Sequence, residues 1–372
     1  MDLVVLSEVR WGYFRTRKQF LLSRFPERWR VFFAQPPGSD GDDPWTPRRE
    51  GRVTLFTVPF LKPATRNAAY NLVAATAPGR AAIEWAATRH LRSRLASLGV
   101  EREPVVMVSN IYAAGALESL QPRLVAYDFN DDPFQFAGTP AWASPYWPRA
   151  LARADLVFAV SEHYRRRLAR ETDRPVVPLG NGVEFDHFAR PRGVPADLAA
   201  LPRPWIGYVG LLSHFLDFGT LEALRLARRG GTLVLIGPGS PATEDAVRAL
   251  ASREGVARLG PRPYEEVPAY MQALDVGVIP FRAQDPYVQG INPNKVYQYL
   301  ASGRPVVTTP VLDLSPVSPH LQFAWDAEGM TLAVRRALDA PRQAEACQAI
   351  ARPHDWDALA ARMVDEIDRR LT

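Results

Sequence analysis

This chain of 372 residues has a single cysteine, Cys347, so it can form no internal disulfide and fits a reducing compartment. Histidines and cysteine are not clustered, which argues against a structural zinc site and gives no metal centre to expect. Lysine is almost missing. Lys18, Lys62 and Lys295 are the only ones, and arginine carries the rest of a net charge of +5 without massing it anywhere. No stripe of basic residues interleaved with stacking aromatics is present, so a nucleic-acid partner is not expected. There is no long apolar run, and Met1-Asp2 leads straight into Leu3-Val4-Val5-Leu6; the expected location is therefore cytoplasmic, without a signal peptide. What remains is ordinary for a soluble globular protein, with 47% hydrophobic and 23% charged residues. The length leaves room for two domains.

Strand-like and helix-like segments alternate along the chain. Strands are expected at 3–7, 30–34, 53–59, 105–109, 124–128, 156–161 and 176–179, with helices near 18–24, 80–98 and 162–170. That alternation calls for a parallel sheet flanked by helices. A second series starts at Trp205-Ile206-Gly207-Tyr208-Val209-Gly210 and runs through a helix at 220–229 and a strand at 232–237 to Thr309. Between the series lie the tight turn Pro178 to Val183 and a Pro- and Ala-rich stretch from Arg190 to Pro204. The reading is two doubly wound α/β domains, 1–183 and 184–354, and a closing helix over 355–372 whose apolar face is Trp356, Leu359, Ala360, Met363, Ile367 and Leu371. The Pro-rich stretches 35–52 and 137–148 read as surface excursions. The second carries Trp142 and Tyr146, which either bind substrate or pin the loop down.

The segment NPNKVYQYLASGRPVVTTP, residues 292–310, is the most informative. Asn292 suits an N-cap and Pro293 the first helical position. Val296, Tyr299, Leu300 and Gly303 form one buried stripe, with Gly303 placed to end the helix in the left-handed conformation. Val306 to Thr309 and Asp275 to Phe281 read as buried strands around it. In open parallel sheets such helix starts line the ligand crevice, where free amides and the helix dipole favour a phosphate.

Ile236-Gly237-Pro238-Gly239-Ser240-Pro241-Ala242 formally matches the dinucleotide fingerprint, which would make the chain a nicotinamide-dependent oxidoreductase. The match is weak. It follows the second strand of its series rather than the first, and no acidic residue closes a following strand.

Val177 to Phe188, with Asn181-Gly182-Val183-Glu184, resembles the interdomain signature of retaining nucleotide-sugar glycosyltransferases of family 4, which have the GT-B fold. Residues 256–310 are similar to the donor-binding region of that family. Arg10 to Gln19 resembles the opening of a subgroup related to teichuronic acid glycosyltransferases. The resemblance implies two facing Rossmann-like domains, an acceptor held by the first, a nucleotide-diphosphate sugar held by the second, and a last helix crossing back. It further implies a co-substrate that is a UDP-sugar, no cofactor or obligatory metal, and a glycan or lipid-linked glycosyl acceptor.

Site residues follow from this resemblance, as do two departures from the family pattern. Where the family has Glu, seven residues and Glu, this chain has Gly290 and Gln298. Gln298 still offers a ribose contact, and the amides of Gly290 and Ile291 stand in for a side chain, with selectivity passing to Arg282, Asp285 and Gln289; Phe281 is a further donor-binding candidate. In the turn after Gly210, where relatives place Arg and Lys against the pyrophosphate, stand Leu211-Leu212-Ser213-His214. The clamp is then expected from Lys295, in the first turn of the helix beside Asn292, with Arg15 or Arg17. The expected donor residues also include Gly237, Pro261, Arg262 and Tyr264, the last opening a helix near the base. Asp128 or Asp131, at a strand end, either positions the acceptor or steadies positive charge developing on the donor sugar, or else caps a loop. Trp11, Gly12, Tyr13 and Arg15 are the remaining acceptor candidates. A catalytically silent GT-B binding module is the alternative, favoured by Gly290 and Gln298.

One further expectation concerns lipid. Arg15, Arg17, Lys18, Arg24, Arg28 and Arg30 interleave with Phe14, Phe20, Leu21, Leu22, Phe25 and Trp29. Such a stretch is either an acidic-membrane contact at the inner face or a packed helix with a basic exterior.

Overall fold

The computed structural model describes the chain except for residues 13–14, 39–42, 64, 136–138 and 311–312. Tyr13 and Phe14, both singled out above, lie outside the described residues. The chain divides into two compact units, Met1–Leu179 with Leu359–Thr372, and Gly180–Ala358.

The first unit is built on an eight-stranded sheet. In chain order its strands are β1 (Asp2–Leu6), β2 (Arg30–Gln35), β3 (Arg48–Glu50), β4 (Val53–Thr57), β5 (Val105–Val108), β6 (Leu124–Phe129), β7 (Leu156–Ala159) and β8 (Val176–Pro178). They lie in the order β3-β4-β2-β1-β5-β6-β7-β8, with only β3 antiparallel. The central strands are near-continuous β-branched and aromatic runs because helices cover both faces, as buried parallel strands require. The long helix Ala77–Ser97 starts at Thr76, whose hydroxyl accepts from Gly79 N, and carries Pro78 in its first turn, where the absent amide costs nothing.

The second unit holds an all-parallel six-stranded sheet: β9 (Trp205–Val209), β10 (Thr232–Ile236), β11 (Val256–Gly260), β12 (Val276–Ile279), β13 (Val306–Thr308) and β14 (Leu321–Phe323). The order β11-β10-β9-β12-β13-β14 is that of a dinucleotide-type doubly wound sheet, with its switch point between β9 and β12. The four residues Gly180–Val183, expected to close the first domain, belong to the second unit. Val183 pairs with Asp355, and the Asn181 side-chain amide donates to Asn292 O at 2.8 Å.

Candidate nucleotide site at the switch point of the second unit

The β9–β12 ladder reaches only the pair Gly207 and Gly277. Beyond that point β9 still presents Gly207 O and Val209 N, and a side chain takes them up. The Tyr299 hydroxyl donates to Gly207 O at 3.0 Å and accepts from Val209 N at 2.8 Å. Glycine is required at 277, since a Cβ there would lie 2.5 Å from the Tyr299 ring. The helix Asn294–Ala301 is thereby fastened to the end of β9 just where the sheet reverses direction.

Two loops close around that point. After β9 the chain turns at Gly210, with φ +142°, and Gly210 N donates to Ile236 O at 2.8 Å. After β10 it turns at Gly237, with φ +134°, where a Cβ would sit 2.0 Å from Gly210 O. Gly237 is therefore a packing glycine of the second βα turn, and the first turn, from Gly210, carries no dinucleotide fingerprint. The oxidoreductase reading loses its basis. The post-β9 loop is held at its far side too: Arg282 N donates to Phe215 O at 2.8 Å and Leu216 bridges Phe281. His214 is exposed and lies against Phe215, with ring centroids 4.0 Å apart, and Phe215 stacks on Tyr287 at 4.5 Å.

Lys295 reaches from the first turn of its helix into the Gly210 turn. A Cβ at position 210 would meet Lys295 Cε at 2.0 Å and Nζ at 2.8 Å, so only glycine lets the ammonium in. The ammonium lies 5.9 Å from the centre of the Tyr208 ring. Among the described residues no hydrogen bond or ion pair to it is present, and desolvation lowers its pKa to about 8. A half-buried cation without a counter-ion is costly, and an anion would relieve that cost. Beside it the helix has no side-chain cap, because Pro293 stands at the N-cap position. The start of the helix therefore keeps first-turn amides directed at the same place. Gln298, one turn on from Lys295 and on the same face, is half-buried, with no carboxamide hydrogen bond among the described residues.

Several expectations change here. Asn292 is not the helix cap. It is 2% exposed, its side-chain oxygen accepts from Tyr297 Oη at 3.0 Å and Asn181 N at 3.3 Å, and its nitrogen donates to Asp313 at 2.6 Å. A carboxamide so engaged has little left for a ligand. Arg262 is likewise committed, to Asp197 at 2.6 Å, to Tyr270 Oη at 2.7 Å and to Pro261 O at 3.0 Å. Tyr264 stacks on His187 with centroids 5.0 Å apart. Gly290 is buried at the end of the short helix Pro286–Gly290, and Ile291 follows it in extended conformation. Arg282 is exposed and has no ion pair among the described residues.

In the first unit, Arg17 and Asp128 are each 2% exposed at the side chain and pair with one another, Nε to the two carboxylate oxygens at 3.1 and 3.2 Å. A guanidinium this deep needs a carboxylate, so neither group offers the free charge expected of it. Lys18 pairs with Glu8 at 2.7 Å. Burial pulls the Lys18 pKa down, and Glu8 with Asp128 more than compensates, leaving it raised. Asp131 stays half-buried at the end of β6, its carboxylate accepting from Asn130 at 2.7 Å. Trp11 is an anchor, its indole donating to Glu50 at 2.8 Å and its edge on Phe33; Gly12 and Arg15 are exposed, and Arg15 lies 5.2 Å from the Phe20 ring. Trp142 and Tyr146 line a groove of about 480 Å3 with Arg80, Glu84 and Arg149. Of the two readings of the stretch 15–30, the packed one fits: Phe20, Leu21, Leu22, Phe25 and Trp29 are all buried, while Arg28 and Arg30 are exposed and paired with Asp368 and Asp2.

Sequence reasoning passed over a groove of about 800 Å3 beyond the carboxyl ends of β1, β2 and β4, lined by Glu8, Arg10, Lys62, Arg66, Asn67 and Tyr70. Its residues lie where α/β sheets bind ligands, a signal legible from the strand ends alone. A cavity of about 500 Å3 in the second unit, by contrast, lies at the amino ends of β9, β12 and β13, remote from the switch point.

Residues 203–340 match the family model described as glycosyl transferases group 1. A putative teichuronic acid biosynthesis glycosyltransferase, TuaH of Bacillus subtilis strain 168, is 29% identical over 166 residues, 43% of this chain. That match spans 42% of the relative's length. Among solved structures, sucrose-phosphate synthase from Thermosynechococcus elongatus aligns at a TM-score of 0.71 and 17% identity, covering 99% of this chain and 98% of that one. Anabaena HepE in complex with UDP aligns at 0.68 and 16%, covering 99% of each. An E. coli trehalose-6-phosphate structure bound with UDP-2-fluoro glucose aligns at 0.71 and 13%, covering 98% of each. The chain thus has two parallel-sheet α/β domains with the GT-B fold, and its second unit carries a domain of the glycosyl transferases group 1 type.

Proposed function

We propose that this protein is a glycosyltransferase that takes a sugar from a nucleotide-diphosphate donor, a UDP-sugar, and passes it to a glycan or lipid-linked glycosyl acceptor. The observation that carries the reading is Lys295: an ammonium with no counter-ion among the described residues, threaded into the Gly210 turn at an uncapped helix start. A diphosphate supplies the missing negative charge and accepts from the helix amides. Support comes also from fold relatives whose structures hold UDP or a UDP-sugar.

In the proposed reaction the bond between the anomeric carbon and the β-phosphate oxygen breaks. The acceptor oxygen bonds to that carbon on the same face, with retention, and its proton passes to the departing phosphate. Lys295 and the helix start neutralise charge growing on the leaving group, and the reading assigns that task to them rather than to a metal. Gln298 holds the ribose, Arg282 and His214 border the donor, and the first unit takes the acceptor. The substitution pattern at Gly290 and Gln298 keeps a second reading, a silent module that binds nucleotide without turnover. The deciding experiment is a thermal-shift screen of nucleoside diphosphates, then a UDP-release assay with their sugars. Stabilisation by UDP together with UDP release supports transfer, stabilisation without release supports the silent module, and no stabilisation by any nucleoside diphosphate overturns both.

A further inference from the structure

The first unit exposes an apolar face that its charged neighbours avoid. The helices Ala68–Ala75 and Ala77–Ser97 meet at Thr76 and pack against one another. On their outer side Leu72 is 73% exposed, Val73 47% and Trp85 68%. The positions around them, Ala68, Ala69, Ala75, Ala77, Ala81 and Ala82, are exposed and apolar as well. Between Asn67 and Ala86 the only charged residues are Arg80 and Glu84, and both are turned to internal partners. Arg80 donates to Ala74 O and Ala75 O, both at 3.0 Å, and lies 5.0 Å from the Trp142 ring. Glu84 pairs with Arg149 at 3.2 Å and accepts from the Tyr146 hydroxyl. The face itself is thus free of charge.

Its borders are basic. Exposed Arg66 precedes it; exposed Arg89 and Arg92 and the half-exposed Arg94 follow on the longer helix, and no acidic residue intervenes before Glu101. Along that helix Pro78, Ala82, Trp85, Arg89 and Arg92 recur at intervals of three or four, so one exposed stripe passes from apolar to cationic, with the Arg89 guanidinium 6.0 Å from the Trp85 ring. Exposed apolar side chains on two packed helices mark a contact surface, and a tryptophan and aliphatic residues framed by arginines fit the boundary of an anionic bilayer.

We propose that this face is a peripheral docking surface for an anionic lipid membrane, with Leu72, Val73 and Trp85 entering the interface and Arg66, Arg89 and Arg92 pairing with lipid phosphates. The inference rests on this face alone and stands whether or not the donor reading holds. It replaces the Arg15–Arg30 stretch, whose apolar side chains are in the core. The groove lined by Trp142 and Tyr146 shares Ala77 and Ala81 with this face, which would place a glycosyl headgroup beside the bilayer.

The test is co-sedimentation of the full chain with vesicles of phosphatidylglycerol and phosphatidylcholine at low salt, next to vesicles of phosphatidylcholine alone. The expected result is binding to the mixed vesicles, lowered by salt and by R89E/R92E, and reduced at least about tenfold by L72S/V73S/W85S. The three replaced side chains are exposed, so the melting temperature should hold; Trp85→Ser alone serves should the triple variant melt early. Wild-type protein that stays in the supernatant, or a triple variant that binds as well as wild type, overturns the proposal. So does a dimer or a tight protein complex abolished by the same triple substitution, which would assign the face to a protein partner.

Discussion

Lys295 and Asp128 show how two charged residues of similar promise in sequence part ways in the fold. Lys295 has no counter-ion among the described residues and its pKa is lowered to about 8. Because the unfolded chain keeps an ordinary lysine, the unfolded state binds more protons between pH 8 and the usual lysine range. Stability of the ligand-free protein therefore rises with pH across that window. Lys295→Met should raise the melting temperature of the ligand-free protein at pH 7, and the gain should shrink toward pH 10 in a melting series. Asp128→Asn should do the reverse. It removes the carboxylate from a buried ion pair, so urea denaturation should show a loss of about 3–5 kcal/mol, where a carboxylate serving only the acceptor would leave stability alone. Asp131→Asn is the cleaner test of an acceptor role, with transfer lost and melting unchanged if Asp131 positions the sugar.

At the level of elements, the helix Asn294–Ala301 was read from its stripe, and Val296, Tyr299 and Leu300 are buried as expected while Gly303 ends it at φ +71°. The buried strands were equally plain, because parallel strands covered on both sides read as β-branched runs. What local pattern could not reveal was long-range pairing. Arg17 meets Asp128 across 111 residues, and Asn292 leaves the cap for Asn181, also 111 residues away, and for Tyr297. The short edge strands β3 and β14 have too few residues for a period to register. Nor could sequence show that the Tyr299 hydroxyl stands in for the missing ladder partner of β9. Tyr299→Phe should leave Gly207 O and Val209 N buried without it, destabilising by about 1–3 kcal/mol in urea denaturation and weakening UDP through the Gly210 turn.

For the whole molecule, two tandem doubly wound sheets were legible from the alternation of strands and helices, and the strand orders agree with that class. Surface character was less so, because exposure depends on packing: the apolar side chains of the basic-aromatic stretch near the start of the chain are core, whereas Leu72, Val73 and Trp85 on the alanine-rich helices after Asn67 are exposed. Under the proposed function the nucleotide belongs to the second unit. Hydrogen exchange with UDP should slow amides of the Gly210 and Gly237 turns and the start of the helix Asn294–Ala301, and spare the sheet of the first unit.

The most direct measurement is a calorimetric titration of UDP into wild-type protein and Lys295→Met at pH 7 and pH 9. Wild-type affinity should fall as the ammonium titrates near pH 8, and the variant should bind at least about tenfold more weakly at pH 7 and lose most of that pH dependence. Equal affinity of the two proteins, with the same change between the two pH values, would contradict the assignment of the diphosphate to Lys295.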